Sequence, residues 1–464
     1  VTPGYSEYIL VNKRGHLQVE GWDSVDLADR FDTPLYVMSE SQIRHNYRTF
    51  HQAFAARYPH VITAPGSKAN NSLAVRRVLT QEGAGADCFG LGELFISLVE
   101  GGNPHKILLN GSDKTVDELR TALQVGVNIN VDNLEELENI AELAASTGRE
   151  ARINIRIKPF LHDLEDKIVK DYRYTPPDIS IARWAREHKF GMHPEAAFEA
   201  CRRALQMKNV RLAGIHYHLK GQTPHPEYFA IMVRDVMDFV AQVKEALNWA
   251  PEQLDLGGGY SYGRREGYGP AGCDREVPSI DEYAEAMTGA LKQAIDRLDL
   301  DPPTLILEPG RYIVANAGIL LARVGTVKEF PGVRKWVHVD ASTNHLMRVR
   351  TGNWYYHILV ANKASEASEE VVDVVGPLCD AADILGHSRE LPRVQRGDLI
   401  AVLDTGAYAE VWAGDFNTYP KPATVLVCGE EADVITERET IYDVLSRHRV
   451  PARLLVDQKV ELSA

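Results

Sequence analysis

The sequence is poor in cysteine, short of basic charge and without a long apolar run. Its five cysteines (Cys88, Cys201, Cys273, Cys379, Cys428) are odd in number, scattered and nowhere spaced as CxxC, which argues against a disulfide framework and against a cysteine zinc site. No stretch approaches the ~18 apolar residues of a membrane span, and Val1 to Val11 has neither a basic nor an apolar leader segment. Lys and Arg number 51 against 65 Asp and Glu, a formal charge of -14, so nucleic acid and anionic membrane surfaces are repelled on balance. Repeats at solenoid periods and low-complexity tracts are missing too. What remains is an ordinary globular composition, 44% hydrophobic and 25% charged over 464 residues. Reduced cytosol is the expected compartment, and the length suggests about two to four domains.

The order of elements is more informative. Thr33–Ser39 reads as a strand. Short apolar runs then follow at Val61–Ala64, Gly85–Phe89, Ile107–Asn110, Val127–Val131, Ala151–Ile157, Leu212–His218, Gln253–Leu256 and Thr304–Leu307. They alternate with amphipathic stretches such as Leu134–Ser146 and Glu227–Leu247. Eight strand–helix units predict an α/β architecture with a closed (β/α)₈ TIM-like barrel, the rival being an open doubly wound sheet. After about residue 320 the pattern turns to β-rich runs (Leu321–Val327, Lys335–Val339, Glu370–Val375, Asp398–Leu403, Thr424–Val427) that predict a mostly antiparallel β domain. The expected division is an N-terminal segment 1–38 packing with the β domain, a barrel over 39–318, and the β domain over 319–464. The charged stretch Pro159–Lys189, with Pro176 and Pro177, reads as a loop excursion or lid.

Barrel enzymes keep their chemistry at the ends of the strands. The first strand ends in Ser67-Lys68-Ala69-Asn70. A lone strand-end lysine is more often a solvated charge, and reaction with a carbonyl requires an unprotonated amine, which burial among other cations can supply. The sixth strand delivers His216-Tyr217-His218, two histidines on one face that suit ring stacking or a structural pair better than a metal, since no cysteine or carboxylate stands at ligand spacing. The seventh runs into Gly257-Gly258-Gly259, an ordinary turn or a cradle whose bare N–H groups approach a phosphate. The eighth ends in Glu308-Pro309-Gly310-Arg311, at the position where barrels hold phosphates. In the second domain Gly376-Pro377-Leu378-Cys379-Asp380 sets a thiol beside a carboxylate. By itself that reads as a buried small hydrophobe next to a surface acid. Taken together, the set describes a pocket for pyridoxal 5′-phosphate, with no metal.

In that order and placement the motifs resemble the fold type III pyridoxal-phosphate-dependent decarboxylases, the ornithine, diaminopimelate and arginine decarboxylase family. The matching residues are Lys68-Ala69-Asn70, Gly85-Ala86-Asp87, Gly92-Glu93-Leu94, Lys189-Phe190-Gly191, Gly214 to His218, Leu256 to Gly259, Glu308 to Arg311, Gly376 to Asp380 and Gly406-Ala407-Tyr408. The resemblance implies that Lys68 forms the Schiff base, with Asp87 nearby, and that His218 stacks on the pyridine ring. It implies that Gly257, Gly258 and Gly259 hold the phosphate with Tyr408, and that Glu308, with Pro309 and Gly310 behind it, pairs with the ring nitrogen. Arg311 would contact phosphate or the substrate carboxylate. Cys379 would protonate the substrate carbon from a neighbouring subunit, which makes a homodimer with shared sites the expected assembly. Arg348, Asp380 and Tyr408 would complete the substrate site. The alternatives are a racemase on the same fold, whose arginine at the ring nitrogen Glu308 speaks against, and a catalytically dead homologue that binds a partner.

Three departures stand out. Pro65-Gly66-Ser67 replaces the usual aromatic residue and alanine before the lysine. Lys220-Gly221-Gln222 stands where the family has Gly-Ser-Gln, removing a hydroxyl and adding a cation. Diaminopimelate decarboxylases carry Arg-Pro-x-x-Tyr, whereas Arg348 is followed by Val349, Arg350, Thr351 and Gly352. With Arg348, Arg350 and Lys220 favouring a carboxylate and Asp380 an amine, the expected substrate is a carboxylated amino acid differing in length or shape from diaminopimelate.

Overall fold

The structure is a computed structural model that describes residues 6–160, 187–218, 220–262, 277–352 and 354–455. Eight parallel strands build the first layer: β1 (Val61–Thr63), β2 (Ala86–Phe89), β3 (Ile107–Asn110), β4 (Asn128–Val131), β5 (Ala151–Ile157), β6 (Val210–Tyr217), β7 (Gln253–Asp255) and β8 (Thr304–Leu307). Their order runs β1, β8, β7, β6, β5, β4, β3, β2. The open side between β1 and β2 is closed by the Gly85 N–H donating to the Thr63 carbonyl at 2.9 Å and by a parallel bridge between Gly66 and Asp87. The barrel is thus the one its strand–helix alternation predicts, not the open sheet. The excursion predicted over Pro159–Lys189 lies, at 161–186, outside the described residues.

Local chemistry sets the helix ends. The helix Val116–Val125 starts at Thr115, whose hydroxyl accepts from the Glu118 N–H while the Glu118 carboxylate accepts from the Thr115 N–H, which satisfies two otherwise unpaired donors. It stops at Gly126, where φ is 80°, a left-handed cap that costs glycine little. The helix Glu40–Ala55 buries Ile43, Tyr47, Phe50 and Phe54 against the barrel. Their spacing of four, three and four residues is one helical face, and each such burial contributes about 1.5–3 kcal/mol. Among the described residues no helix is long and apolar enough to cross a membrane.

Beyond the barrel come β9 (Gly318–Phe330), β10 (Arg334–Val339), β11 (Ile358–Val360), β12 (Glu370–Val375), β13 (Ile384–Leu391), β14 (Leu399–Leu403), β15 (Ala423–Cys428) and β16 (Glu431–Thr436). The strand Leu35–Ser39, buried on both faces, pairs antiparallel with β9 and parallel with β15. Sheet pairings here are mostly antiparallel, with β10–β12 a parallel exception. Sequence patterning missed β11, β13 and β16. β11 has only three residues, β13 carries Gly386 and a polar His387-Ser388-Arg389-Glu390 run, and β16 is a largely exposed edge, so none shows the alternation that reveals a half-buried strand.

Candidate active site

Every barrel strand points its last residues at one mouth. There a cavity of about 670 Å³ is lined by Lys68, His218, Gly258, Gly259, Glu308, Gly310, Arg311, Arg348 and Tyr408, together with Phe89, Arg156, His188, His216, Lys220 and Trp412. Lys68 follows β1 in a single 3₁₀ turn, and its ammonium pairs with the buried Asp87 carboxylate on β2. Burial pushes the amine down, but Asp87, then Tyr408 and Glu308, outweigh it and hold Lys68 above its ordinary value. This corrects the expectation of an amine kept neutral among cations. The partner at Lys68 is an acid, so the side chain carries its proton until something displaces it.

Asn110, the last residue of β3, bridges the acids: its Nδ2 donates to Asp87 Oδ1 at 2.7 Å and to Glu308 Oε1 at 2.8 Å. His216 is buried with neither ring nitrogen hydrogen-bonded to a described residue, and its Nε2 lies 3.7 Å from Glu308 Oε2. Burial first, and Arg156 second, push it well below the usual imidazole range, so it is a neutral ring at physiological pH. His218 is likewise pushed down to about 3 by burial and by Arg156, and its Nδ1 accepts from the Gly258 N–H at 3.2 Å. Asp255 at the end of β7 accepts from the Gly257 N–H at 3.0 Å, and burial with the nearby Glu308 pushes it well above the carboxylate range. His216, Asp255 and Glu308 are the one close group of ligand-type atoms among the described residues. Asp255 and Glu308 each already accept amide hydrogen bonds there.

The glycine loop is shaped by close approach. A Cβ on Gly258 would collide with the Glu308 carbonyl, and one on Gly259 with the Lys220 carbonyl. At Gly310 it would stand 3.1 Å from Tyr408 Oη and 3.3 Å from the Ala69 Cβ. Pro309 joins the first strand's loop through its carbonyl, which accepts from the Gly66 N–H at 3.1 Å. Tyr408 arrives from the second domain with φ 56°, its N–H donating to the Ala69 carbonyl at 2.9 Å, while Asn70 Nδ2 donates to the Gly406 carbonyl at 3.0 Å. Two hydrogen bonds therefore tie the lysine turn to the tyrosine loop. Arg311 stacks 3.8 Å above the Trp354 ring and 4.7 Å from Tyr408; Arg348 lies 5.1 Å from the Trp412 ring. Lys220 is pushed down to about 8 by burial at the glycine loop.

Cys379 and Asp380 do not line this cavity. The thiol is exposed rather than buried. Asn417 grips it from both sides, accepting from the Cys379 N–H at 3.0 Å and donating to Sγ at 3.1 Å. The loop is anchored from beneath by Asp383, whose carboxylate accepts from the Leu378 N–H, the Thr343 N–H and the Thr343 hydroxyl at 2.7–2.9 Å. Asp380 pairs with Arg350 at 2.6 Å.

Sequence reasoning passed over Asn110, Arg156, His188, Asp255, Trp412 and Asn417. Signals existed for some of them. Asn110 and Asp255 end their strands, and Arg156 is the penultimate residue of β5, where barrel function concentrates. Asn417 has none, since it acts through a loop contact 38 residues away.

Comparison with known proteins places these residues in context. Residues 40–315 match the family model for the pyridoxal-dependent decarboxylase, pyridoxal binding domain. The chain is 38% identical to the diaminopimelate decarboxylase of Methanothermobacter thermautotrophicus, over 96% of this chain and 99% of that protein. It is 36% identical to the one of Methanocaldococcus jannaschii, over 96% and 97%. A crystal structure of the M. jannaschii enzyme in co-complex with L-lysine is similar with a TM-score of 0.87 and 34% identity, covering 98% of this chain and all of that one.

Proposed function

This chain belongs to the pyridoxal-dependent decarboxylase family, and we propose that it removes CO₂ from an amino acid of the diaminopimelate type, whose distal end carries both an ammonium and a carboxylate. It is a pyridoxal-phosphate-dependent amino-acid decarboxylase. The observation that carries the activity is the convergence of Lys68, Glu308 and the glycine loop on one cavity.

The residues present fit that cofactor. Glycines at 258, 259 and 310 leave room that any Cβ would fill, and beside them stands Lys220 as a cation for the phosphate, taking the place of the missing hydroxyl. Neutral His216 and His218 provide ring faces without a competing positive charge. When bound, pyridoxal phosphate supplies an electron sink for the pair left by departing CO₂. Around it the protein's own groups divide the work. Lys68 would hold the cofactor covalently after yielding its proton from the pair with Asp87. Glu308 would keep the ring nitrogen protonated, held in place by Asn110. Arg311, flat against Trp354, would present its guanidinium to a carboxylate or phosphate.

Cys379 would return a proton to the substrate carbon. Because it lies outside the chain's own cavity, the reading includes a homodimer in which each cavity receives this loop from its partner. The same loop supports the substrate assignment. Sequence alone expects a substrate unlike diaminopimelate, since Gly352 stands where the tyrosine would be. Arg350, two residues before Gly352 in sequence, is the donor assigned in the tyrosine's place. Its pair with Asp380 is partly exposed, at 42% and 24% of side-chain surface, and such pairs are worth only about 0–1 kcal/mol. The two side chains can therefore part at little cost, Arg350 to the distal carboxylate and Asp380 to the distal ammonium.

CO₂ release against meso-diaminopimelate, lysine and ornithine tests this. Diaminopimelate should lead, and Arg350→Ala should lower its specificity constant roughly tenfold to hundredfold, the worth of a charge-assisted hydrogen bond, while leaving lysine unchanged. If lysine or ornithine outruns every carboxylated substrate, the distal assignment is wrong.

A further inference from the structure

TIM barrels are normally filled with layers of Val, Ile and Leu. This barrel instead runs amides through its interior, and the amides share a direction. At the base, Arg152 Nη2 donates to Gln253 Oε1 at 3.0 Å. A guanidinium only donates, so the Gln253 oxygen must face it and the Gln253 NH₂ must face inward. That NH₂ donates to Asn154 Oδ1 at 2.6 Å. Asn154 Nδ2 in turn donates to Asn130 Oδ1 at 2.7 Å, and Asn130 Nδ2 to Asn110 Oδ1 at 3.0 Å and to Asp255 Oδ2 at 3.0 Å. Each oxygen is occupied from below, so each NH₂ points up. The last, on Asn110, reaches Asp87 and Glu308 together. Asn154 and Asn130 are fully buried, and Asn110 and Gln253 nearly so.

We propose that this chain of amides, with its direction fixed by Arg152 at the far end of the barrel, is a positioning device that keeps an N–H donor aimed at the Asp87 and Glu308 carboxylates. The inference rests on the reading of Glu308 as the partner of the cofactor's ring nitrogen. Two carboxylates this near Asp255 would compete for a proton, and a donor shared between them favours the ionised forms of both. An Asn110 amide turned the other way would offer its oxygen to two acids and force one to take up a proton. The charged and titratable groups facing the pair are Lys68, Arg76, Cys88, Glu93 and His216 beside Asp87, His218, Asp255 and Tyr260 beside Glu308, and, farther off, Arg156. Of these, Asp255 also holds the column's direction, accepting from Asn130 Nδ2 at 3.0 Å. Arg152 does so from outside the chemistry, with its own side chain 31% exposed.

Three variants in the holoenzyme test it. Arg152→Lys keeps a donor-only group at the base and should behave as wild type. Arg152→Glu replaces the donor by an acceptor, which turns Gln253 and, through it, the column. The acid limb of the pH profile of kcat/KM should then move toward neutral pH by roughly one unit, and the bound cofactor's absorbance should titrate over the same shifted range. KM should be nearly unchanged. Asn130→Asp, the same size but without an N–H to give, should shift both profiles further. Melting temperatures of the cofactor-free proteins report the purely structural cost, since Arg152→Glu also faces Glu252. Wild-type pH profiles in both Arg152→Glu and Asn130→Asp, whatever the melting temperatures, overturn the proposal. A wild-type protein that shows no cofactor absorbance overturns the functional reading instead.

Discussion

The barrel mouth and the Cys379 loop are built on opposite terms. Around Lys68 the acids are buried, close and internally satisfied, with Asp87 fully buried, Glu308 nearly so, and both bridged by Asn110. Around Cys379 the groups are exposed, and what is buried is the anchor, Asp383. A buried unpaired charge is costly, so a site holding three carboxylates must be wired in advance. An exposed thiol carries no such cost and needs only to be aimed. On the proposed reading, the contrast sets one site that is complete as chemistry against another that is a part to be delivered.

The strongest way to break that contrast is to separate the two halves. Lys68→Ala should abolish the cofactor's absorbance and reduce turnover to background, and Cys379→Ala should be nearly as inactive. An equimolar mixture, after confirmed subunit exchange, should recover about a quarter of wild-type specific activity. Half the dimers are then mixed, and each carries one intact site of two. No recovery would mean that the loop serves its own barrel or none. Next in size, Glu308→Gln should cost on the order of 10²–10³ in kcat, the usual worth of one preorganised electrostatic partner, with little change in melting temperature. Unchanged decarboxylation would remove Glu308 from the ring nitrogen.

Much of this contrast was legible in the sequence, and the reason is geometric. A barrel strand commits its terminal residues to one face, so Lys68, His218, Glu308 and the Gly257–Gly259 loop announce their convergence through position alone. The strands themselves were readable because apolar runs alternate with helical periods. The wiring was not. Asn110, Asn130 and Asn154 lie on successive strands, yet an asparagine in a barrel strand carries no period that says whether it faces amides or solvent. Asn417 sits in a left-handed conformation at φ 59°, which asparagine tolerates, and its partner lies too far along the chain for any local pattern to show.

A smaller effect sharpens the loop side. Asp383→Ala should leave three donors without their acceptor, at Leu378 and Thr343. That costs about 2–4 kcal/mol in the unfolding free energy measured by denaturant. It should lower kcat through a misplaced Cys379 while leaving the affinity for cofactor intact, because the barrel does not depend on this loop. Loss of cofactor affinity in this variant would show that the two regions are coupled more tightly than their separate hydrogen-bond networks imply.

The smallest expected effect concerns Lys220, the cation added where the family has glycine. Burial disfavours its charged form and brings it down to about 8, so the amine is protonated below that pH and neutral above it. A phosphate at the glycine loop would meet a full charge at pH 7 and progressively none as pH rises through 8. Cofactor affinity, measured by absorbance titration of the stripped protein, should therefore fall about tenfold between pH 7 and 9. Lys220→Met should bind more weakly at pH 7 and lose that decline, since nothing remains at this position to deprotonate. The competing account gives the pH dependence to Lys68, whose proton must leave before the cofactor can attach. That account predicts the opposite slope, with attachment improving as pH rises, because Asp87 holds the Lys68 proton above its ordinary range. A variant that keeps the wild-type decline would assign it to neither lysine and would leave Lys220 as a charge that the phosphate does not use.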